Sequence, residues 1–78
     1  MTKVIIRNLG RQKAFGLADT EKKIIEIDPR QKPKQYLDTL IHESLHVSFP
    51  EMSETKVRKA AKEIRDIVWD HNYRWVDL

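Results

Sequence analysis

The pentapeptide HESLH at residues 42–46 lies in a stretch whose apolar side chains recur with the period of an α-helix. At about 100° per residue these side chains form one continuous face. That face consists of Leu37, Leu40, Ile41, Leu45 and Val47. Counted from Leu37, His42 and His46 fall at about 140° and 180°, away from the apolar side chains. The stretch therefore predicts a helix that buries one side in a core and presents both histidines on another.

The spacing of the two histidines suits a metal ion. Side chains at positions i and i+4 lie one turn apart on a helix, so His42 and His46 can direct two ring nitrogens at one ion. Glu43 would then lie beside a water at that ion, where a general base is needed. This combination is typical of a catalytic zinc site, and Zn²⁺ is the expected cofactor. The alternative is a pair of ordinary surface histidines.

Composition limits which metal ligands and nucleophiles the chain can offer and in which cellular compartment we expect it. The chain has no cysteine, which excludes disulfides, thiolate zinc ligands and cysteine nucleophiles, and leaves histidine and carboxylate as ligands. No apolar run approaches the ~20 residues of a membrane span, and the first residues lack the apolar core of a signal peptide. We therefore expect one cytoplasmic domain, residues 1–78, that does not enter a membrane.

The first third of the chain predicts strands. β-branched or aromatic runs occur at residues 3–8, 14–18 and 22–28, and turn-prone residues separate them. Because consecutive runs are joined by short connections, we expect a three-stranded antiparallel meander.

The remainder of the chain predicts two helices. Pro33 suits the first turn of a helix that ends at about Ser48, and Ser53 suits the N-cap of a second that ends at about Trp69 or Asp70. The expected fold class is α+β, with a three-stranded antiparallel sheet packed on an active-site helix and a second, glutamate-bearing helix.

The second helix offers a third metal ligand. Glu54 falls about 60° from Val57, beside the apolar stripe of that helix, so it would face inward. Two other residues compete for the role. Glu51 would have to fold back from the connection, and His71 would face inward near the rim of the site if the helix persists that far. A histidine at a helix end is also a common cap.

Residues 36–61, YLDTLIHESLHVSFPEMSETKVRKAA, resemble the active-site segment of the gluzincin branch of zincin metallopeptidases. The short spacing to the glutamate is similar to that of minigluzincins and of phage-type repressor-cleaving peptidases, and the resemblance extends over about residues 24–68. It implies a sheet over the active-site helix, and an edge strand at residues 22–28 that pairs with an extended substrate. It also implies that the cleft is shallow, because the connection after His46 lacks the insert of larger gluzincins.

By this resemblance His42, His46 and Glu54 would bind zinc and Glu43 would be the general base. Ile24, Ile25 and Glu26 would contact the substrate. The expected activity is that of a zinc metalloendopeptidase acting on a peptide or protein. The tetrahedral oxyanion needs a donor beyond the metal. Tyr73 and His71 are the candidates, with Arg74 in the same neighbourhood.

Basic residues are concentrated at the start of the chain. Residues 1–34 hold nine Lys or Arg against four Asp or Glu, whereas residues 35–78 hold six against eight. A solvated strand surface explains this better than nucleic acid binding, so we do not expect a nucleic acid partner.

The alternative function is a non-catalytic module that binds a protein or single-stranded nucleic acid and has a structural or vestigial metal site. The closing segment favours it, because Trp69, Tyr73 and Trp75 alternate there with Arg74. The same rings are suited to sealing a small core. A homodimer or a larger assembly could complete so small a cleft.

Overall fold

The computed structural model describes residues 1–12 and 14–74, which form three strands and two main helices. In chain order the strands are β1 (Lys3–Ile6), β2 (Gly16–Asp19) and β3 (Ile24–Ile27). The helices are α1 (Pro33–Ser48) and α2 (Glu54–Asp70), and a short 3₁₀ helix (Gly10–Gln12) lies between β1 and β2. The α+β class is confirmed, and each strand is shorter than its predicted run.

The sheet is mixed, with strand order β1-β3-β2, so the predicted antiparallel meander is wrong. β2 and β3 form the antiparallel pair, joined by a turn at residues 20–23, whereas β1 runs parallel to β3. The strands do not form a meander because no tight turn follows β1. Arg7 N–H donates to Ile27 O, and the N–H of the fully buried Leu9 donates to Asp28 Oδ2 at 3.0 Å. These bonds carry the chain alongside β3 before it crosses to form β2.

β3 is the central strand, so the expectation of an edge strand at residues 22–28 is wrong. Its partners in β1 include Val4 opposite Ile25, and its partners in β2 include Leu17 opposite Glu26. With both edges of β3 paired, Ile24, Ile25 and Glu26 have no free main-chain edge for a substrate. Ile25 is also only 1% exposed. The edges of the sheet are β1 and β2.

Both helices begin where the sequence predicts. Pro33 occupies the first turn of α1, where its missing N–H leaves no bond unmade. The Ser53 side chain accepts a hydrogen bond from Lys56 N at 3.2 Å and so caps α2. In the described part of the chain, neither helix is long and apolar enough to cross a bilayer.

The core lies between the sheet and α1, and α2 packs on α1. Ile25 and Ile27 pack with Tyr36 and Val47 of α1, and partly buried Ala18 and Leu40 complete this cluster. From α2, Val57 and Ala61 are buried. Of the apolar face predicted for α1 only Val47 is fully buried, because a chain of this size has no further layer to cover the helix.

Candidate metal centre

α1 and α2 bring the three predicted ligands together. His42 and His46 lie one turn apart on α1, and the connection at residues 49–53 reverses the chain so that Glu54, the first residue of α2, faces them. His42 Nε2 lies 3.0 Å from Glu54 Oε1, and His46 Nε2 lies 2.9 Å from Glu54 Oε2. The two Nε2 atoms are 3.2 Å apart. The prediction that these residues form one group is confirmed.

The group could hold a metal ion. One ligand atom from each residue can be chosen so that all lie within 4.8 Å of one another. Ligand atoms at zinc's usual distances in a tetrahedral site lie about 3.3 Å apart, close to the 3.2 Å between the two ring nitrogens. Two imidazoles and one carboxylate are a donor set that divalent transition metals accept, and a fourth position is left for water. The residues therefore fit such an ion.

The group is open to solvent on one side. The Glu54 side chain is 50% exposed, whereas His42 and His46 are 19% and 25% exposed. The histidines are thus held by the packing of α1, and the carboxylate closes the group from the surface. A water or a small ligand can reach the group from the Glu54 side.

Glu43 lies beside the group but is buried. Its Oε1 atom is 3.9 Å from His42 Nε2, and the residue is 9% exposed. Burial raises the pKa of Glu43, the two histidines oppose the rise, and the charge of Glu54 adds to it. A carboxylate with a raised pKa accepts a proton more readily at neutral pH than an ordinary one.

β2 approaches α1 closely at this point, and a glycine permits the approach. A Cβ atom on Gly16 would lie 2.5 Å from Thr39 Cγ2 and 3.0 Å from Glu43 Cγ. Thr39 is fixed in turn, because its hydroxyl donates to Gln31 Oε1 at 2.6 Å. Sequence reasoning missed both Gly16 and Thr39. The signal was available, since a glycine inside a strand often marks a close backbone approach.

His71 and Tyr73 are not part of the metal-binding group. α2 separates His71 from Glu54, and its 17 residues extend for about 25 Å, so His71 cannot serve as the predicted oxyanion donor. Tyr73 follows the end of α2 and lies beside Leu37 and Leu40 of α1, and its role as a donor stays a prediction. His71 is the C-cap, with Nδ1 at 2.9 Å from Ile67 O, and Tyr73 is exposed.

The other candidates also have different roles. Arg74 stacks 3.6 Å above the ring of Trp69 at the same end of α2. Glu51 is exposed in the connection and is not part of the metal-binding group. The aromatic segment considered for a binding module is described only in part, because Trp75 lies outside the described residues.

Comparison of the chain with models of protein families, with curated proteins and with solved structures found no match. The chemistry of the site is therefore argued from its own geometry.

Proposed function

We propose that this chain is a zinc-dependent metallopeptidase that hydrolyses internal peptide bonds, with Glu43 as the general base. One observation carries the proposal. His42, His46 and Glu54 converge on one point, and a buried carboxylate that is not part of this group lies 3.9 Å from one of its nitrogens. Three ligands and a separate base are the minimum set for a hydrolytic zinc site.

Each of the four side chains has a separate role in the proposed reaction. When bound, zinc supplies a Lewis acid that lowers the pKa of a water and polarises the scissile carbonyl. His42 and His46 would hold the ion, and Glu54 would provide the third ligand from the other helix. Glu43 takes a proton from the attacking water and passes it to the leaving amine. Its buried position beside His42 keeps the carboxylate close to the attacking water.

The substrate main chain would pair with β2, the edge strand that lies against α1. Asp28 N–H donates to Phe15 O, which fixes the alternation of bonds along this antiparallel pair. By that alternation Gly16 and Ala18 direct their N–H and C=O groups away from β3, toward the open edge. An extended peptide can add to this edge through main-chain bonds, which give affinity with little dependence on side chains.

The first test is metal content after purification without added metal. About one zinc per chain is expected by elemental analysis, with loss of zinc in His46→Ala and weaker binding in Glu54→Ala. Glu54→Ala is informative because the side chain is half exposed, so its removal leaves the core intact. Protein without stoichiometric metal, and with a fold indifferent to chelator, would contradict the proposal and favour a non-catalytic binding module.

The second test separates catalysis from metal binding. A mixture of unstructured peptides incubated with the zinc-loaded protein should yield new termini by mass spectrometry. Glu43→Gln should abolish cleavage and retain zinc, because Glu43 is not one of the ligands. Equal cleavage by this variant would show that another group, or a contaminating peptidase, is responsible.

A third test addresses the strand edge. Proline is tolerated on an edge strand where its nitrogen faces solvent, so Ala18→Pro should raise KM for peptides by removing an outward donor. Val4→Pro is the matched control. Val4 N–H also points outward, on β1, because Lys3 N–H donates to Lys23 O, just before β3, and Arg7 N–H donates to Ile27 O. A similar rise in KM for both variants would indicate a general disturbance of the sheet.

A further inference from the structure

A groove between α1 and α2 begins one turn from the metal-binding group. Asp38 lies one turn before His42 on α1, and Arg58 lies one turn after Glu54 on α2. The two helices run antiparallel, since His42 contacts Glu54 near the connection and Asp38 contacts Arg65 farther from it. A ligand that extends from the metal-binding group along the helices therefore meets Arg58 first.

Beyond Arg58 the groove is strongly positive. It has a volume of about 300 Å³ and we call it the cationic groove. It is lined by Asp38, Arg58, Lys59, Lys62 and Arg65. Four cations against one carboxylate give this lining a formal charge of +3. An anionic ligand is the natural occupant.

Most of this positive charge is available to a ligand. Arg65 is engaged, with two aspartates at 3.3 Å and 2.9 Å. Arg58 reaches only to 3.8 Å from the nearest oxygen of Glu54. Lys59 and Lys62 are exposed and form no ion pair with any residue that the structure describes.

The spacing of these cations matches an extended polypeptide. Arg58 and Lys62 are four residues apart on a helix, a rise of about 6 Å. Side chains on one face of an extended peptide recur every second residue, at about 6.6 Å. Acidic side chains at alternate positions could therefore meet successive cations. The lining includes no aromatic ring on which a nucleic acid base could stack, which favours a peptide over single-stranded nucleic acid.

We propose that the cationic groove binds an acidic segment of the polypeptide substrate, to one side of the bond that is cleaved. The proposal rests on the proposed peptidase function, because it takes the occupant to be continuous with a peptide at the metal-binding group. Arg58 joins the two regions, since its guanidinium lies near a metal ligand and also lines the groove. The groove would thus select substrates in a domain that has little other surface for selection.

The test is a binding measurement that needs no turnover. All proteins carry Glu43→Gln, so that a bound peptide is not hydrolysed. The probe is a fluorescein-labelled peptide with Glu at alternate positions, and its partner has Gln at the same positions. Fluorescence anisotropy should show that the Glu peptide binds at least about tenfold more tightly, with an affinity that falls as salt is raised.

Two matched variants locate the binding site. Lys59→Gln with Lys62→Gln removes two charges from the groove, and Lys3→Gln with Arg11→Gln removes two charges elsewhere. All four side chains are exposed, so circular dichroism should show an unchanged fold. The groove variant should weaken binding of the Glu peptide by about tenfold and the control by less than about twofold.

Three results would overturn the proposal. Equal weakening by the two variants would indicate attraction by net charge alone. Equal affinity for the Glu and Gln peptides would remove the acidic preference. Tighter binding of a single-stranded oligonucleotide, lost in the groove variant, would assign the groove to nucleic acid. A protein that binds the Glu peptide in the groove but cleaves no peptide would leave the groove standing and contradict only the peptidase function.

Discussion

Gly16→Ala should destabilise the protein through contacts with α1 beside the candidate metal centre, the closest of which is with Thr39. The added Cβ would lie 2.5 Å from Thr39 Cγ2, whereas carbon atoms in contact are normally about 3.5 to 4.0 Å apart. Either β2 must move by about 1 Å or the threonine must change rotamer. A rotamer change would break its 2.6 Å hydrogen bond to Gln31. Overpacking of this kind costs about 1 to 3 kcal/mol.

The net loss of stability is smaller than this overpacking term, because alanine also restricts the conformations of the unfolded chain. That restriction contributes about 0.4 to 1 kcal/mol where the backbone conformation is open to alanine, and Gly16 does not have a positive φ. We therefore expect a loss of about 1 to 2 kcal/mol. In a domain of this size each kcal/mol lowers Tm by about 4 to 8 °C. Thermal unfolding followed by circular dichroism can resolve this change.

A double-mutant cycle assigns the loss to Thr39. Thr39→Ser deletes Cγ2 and keeps the hydroxyl that donates a hydrogen bond to Gln31. Added to Gly16→Ala, it should restore most of the lost stability, with a coupling energy of about 1 kcal/mol or more between the two positions. Gly10→Ala is the comparison, because its Cβ would lie no closer than 3.0 Å to any atom, and the nearest atoms are the side-chain ends of Arg30 and Asn8. An unchanged Tm for Gly16→Ala, or additive effects of Gly16→Ala and Thr39→Ser, would refute the argument.

Three further outcomes are expected. Hydrogen bonds from Arg30 hold the pKa of Asp28 well below its ordinary value, so the ionised carboxylate stabilises the folded protein above pH 3.8. This stabilisation is lost as the pH falls through the lower pKa of the folded state, so Asp28→Asn should flatten the acid side of a plot of urea midpoint against pH. His71→Ala should leave the proposed peptide cleavage unchanged in kinetic assays, since His71 caps the end of α2 that lies about 25 Å from Glu54. Ser53→Ala should cost about 1 kcal/mol in thermal unfolding, because α2 loses its cap.

The helices were predictable because their ends depend on local signals. Pro33 in the first turn of α1 and Ser53 before α2 act within a few residues of their own positions. The histidine spacing and the position of Glu54 on the side of α2 that faces the histidines are likewise properties of single helices. Once α2 follows α1 after a short connection, the three ligands meet with no information from the sheet.

The sheet was not predictable in the same way, because strand order depends on contacts between distant residues. The bond from Leu9 N–H to Asp28 joins positions 19 apart and directs the chain past β3. A run of β-branched residues gives no sign of such a bond. The prediction for His71 was wrong for a different reason. A helical angle gives the direction of a side chain around the axis but not its distance along that axis.

The position of Glu54 links the metal centre to the stability of the whole domain. A chain of 78 residues buries a modest share of its surface, so its free energy of unfolding is small. An ion held by α1 and α2 together binds the folded state and not the unfolded chain, and at about a hundred times its Kd it adds about 2.7 kcal/mol. The half-exposed carboxylate of Glu54 contributes little packing of its own. Glu54→Ala should therefore cost the metal-free protein only its half-exposed contacts with His42 and His46, about 1 kcal/mol or less, and remove most of the increment expected from zinc. Equal losses with and without zinc would instead assign Glu54 to the packing of the helix pair.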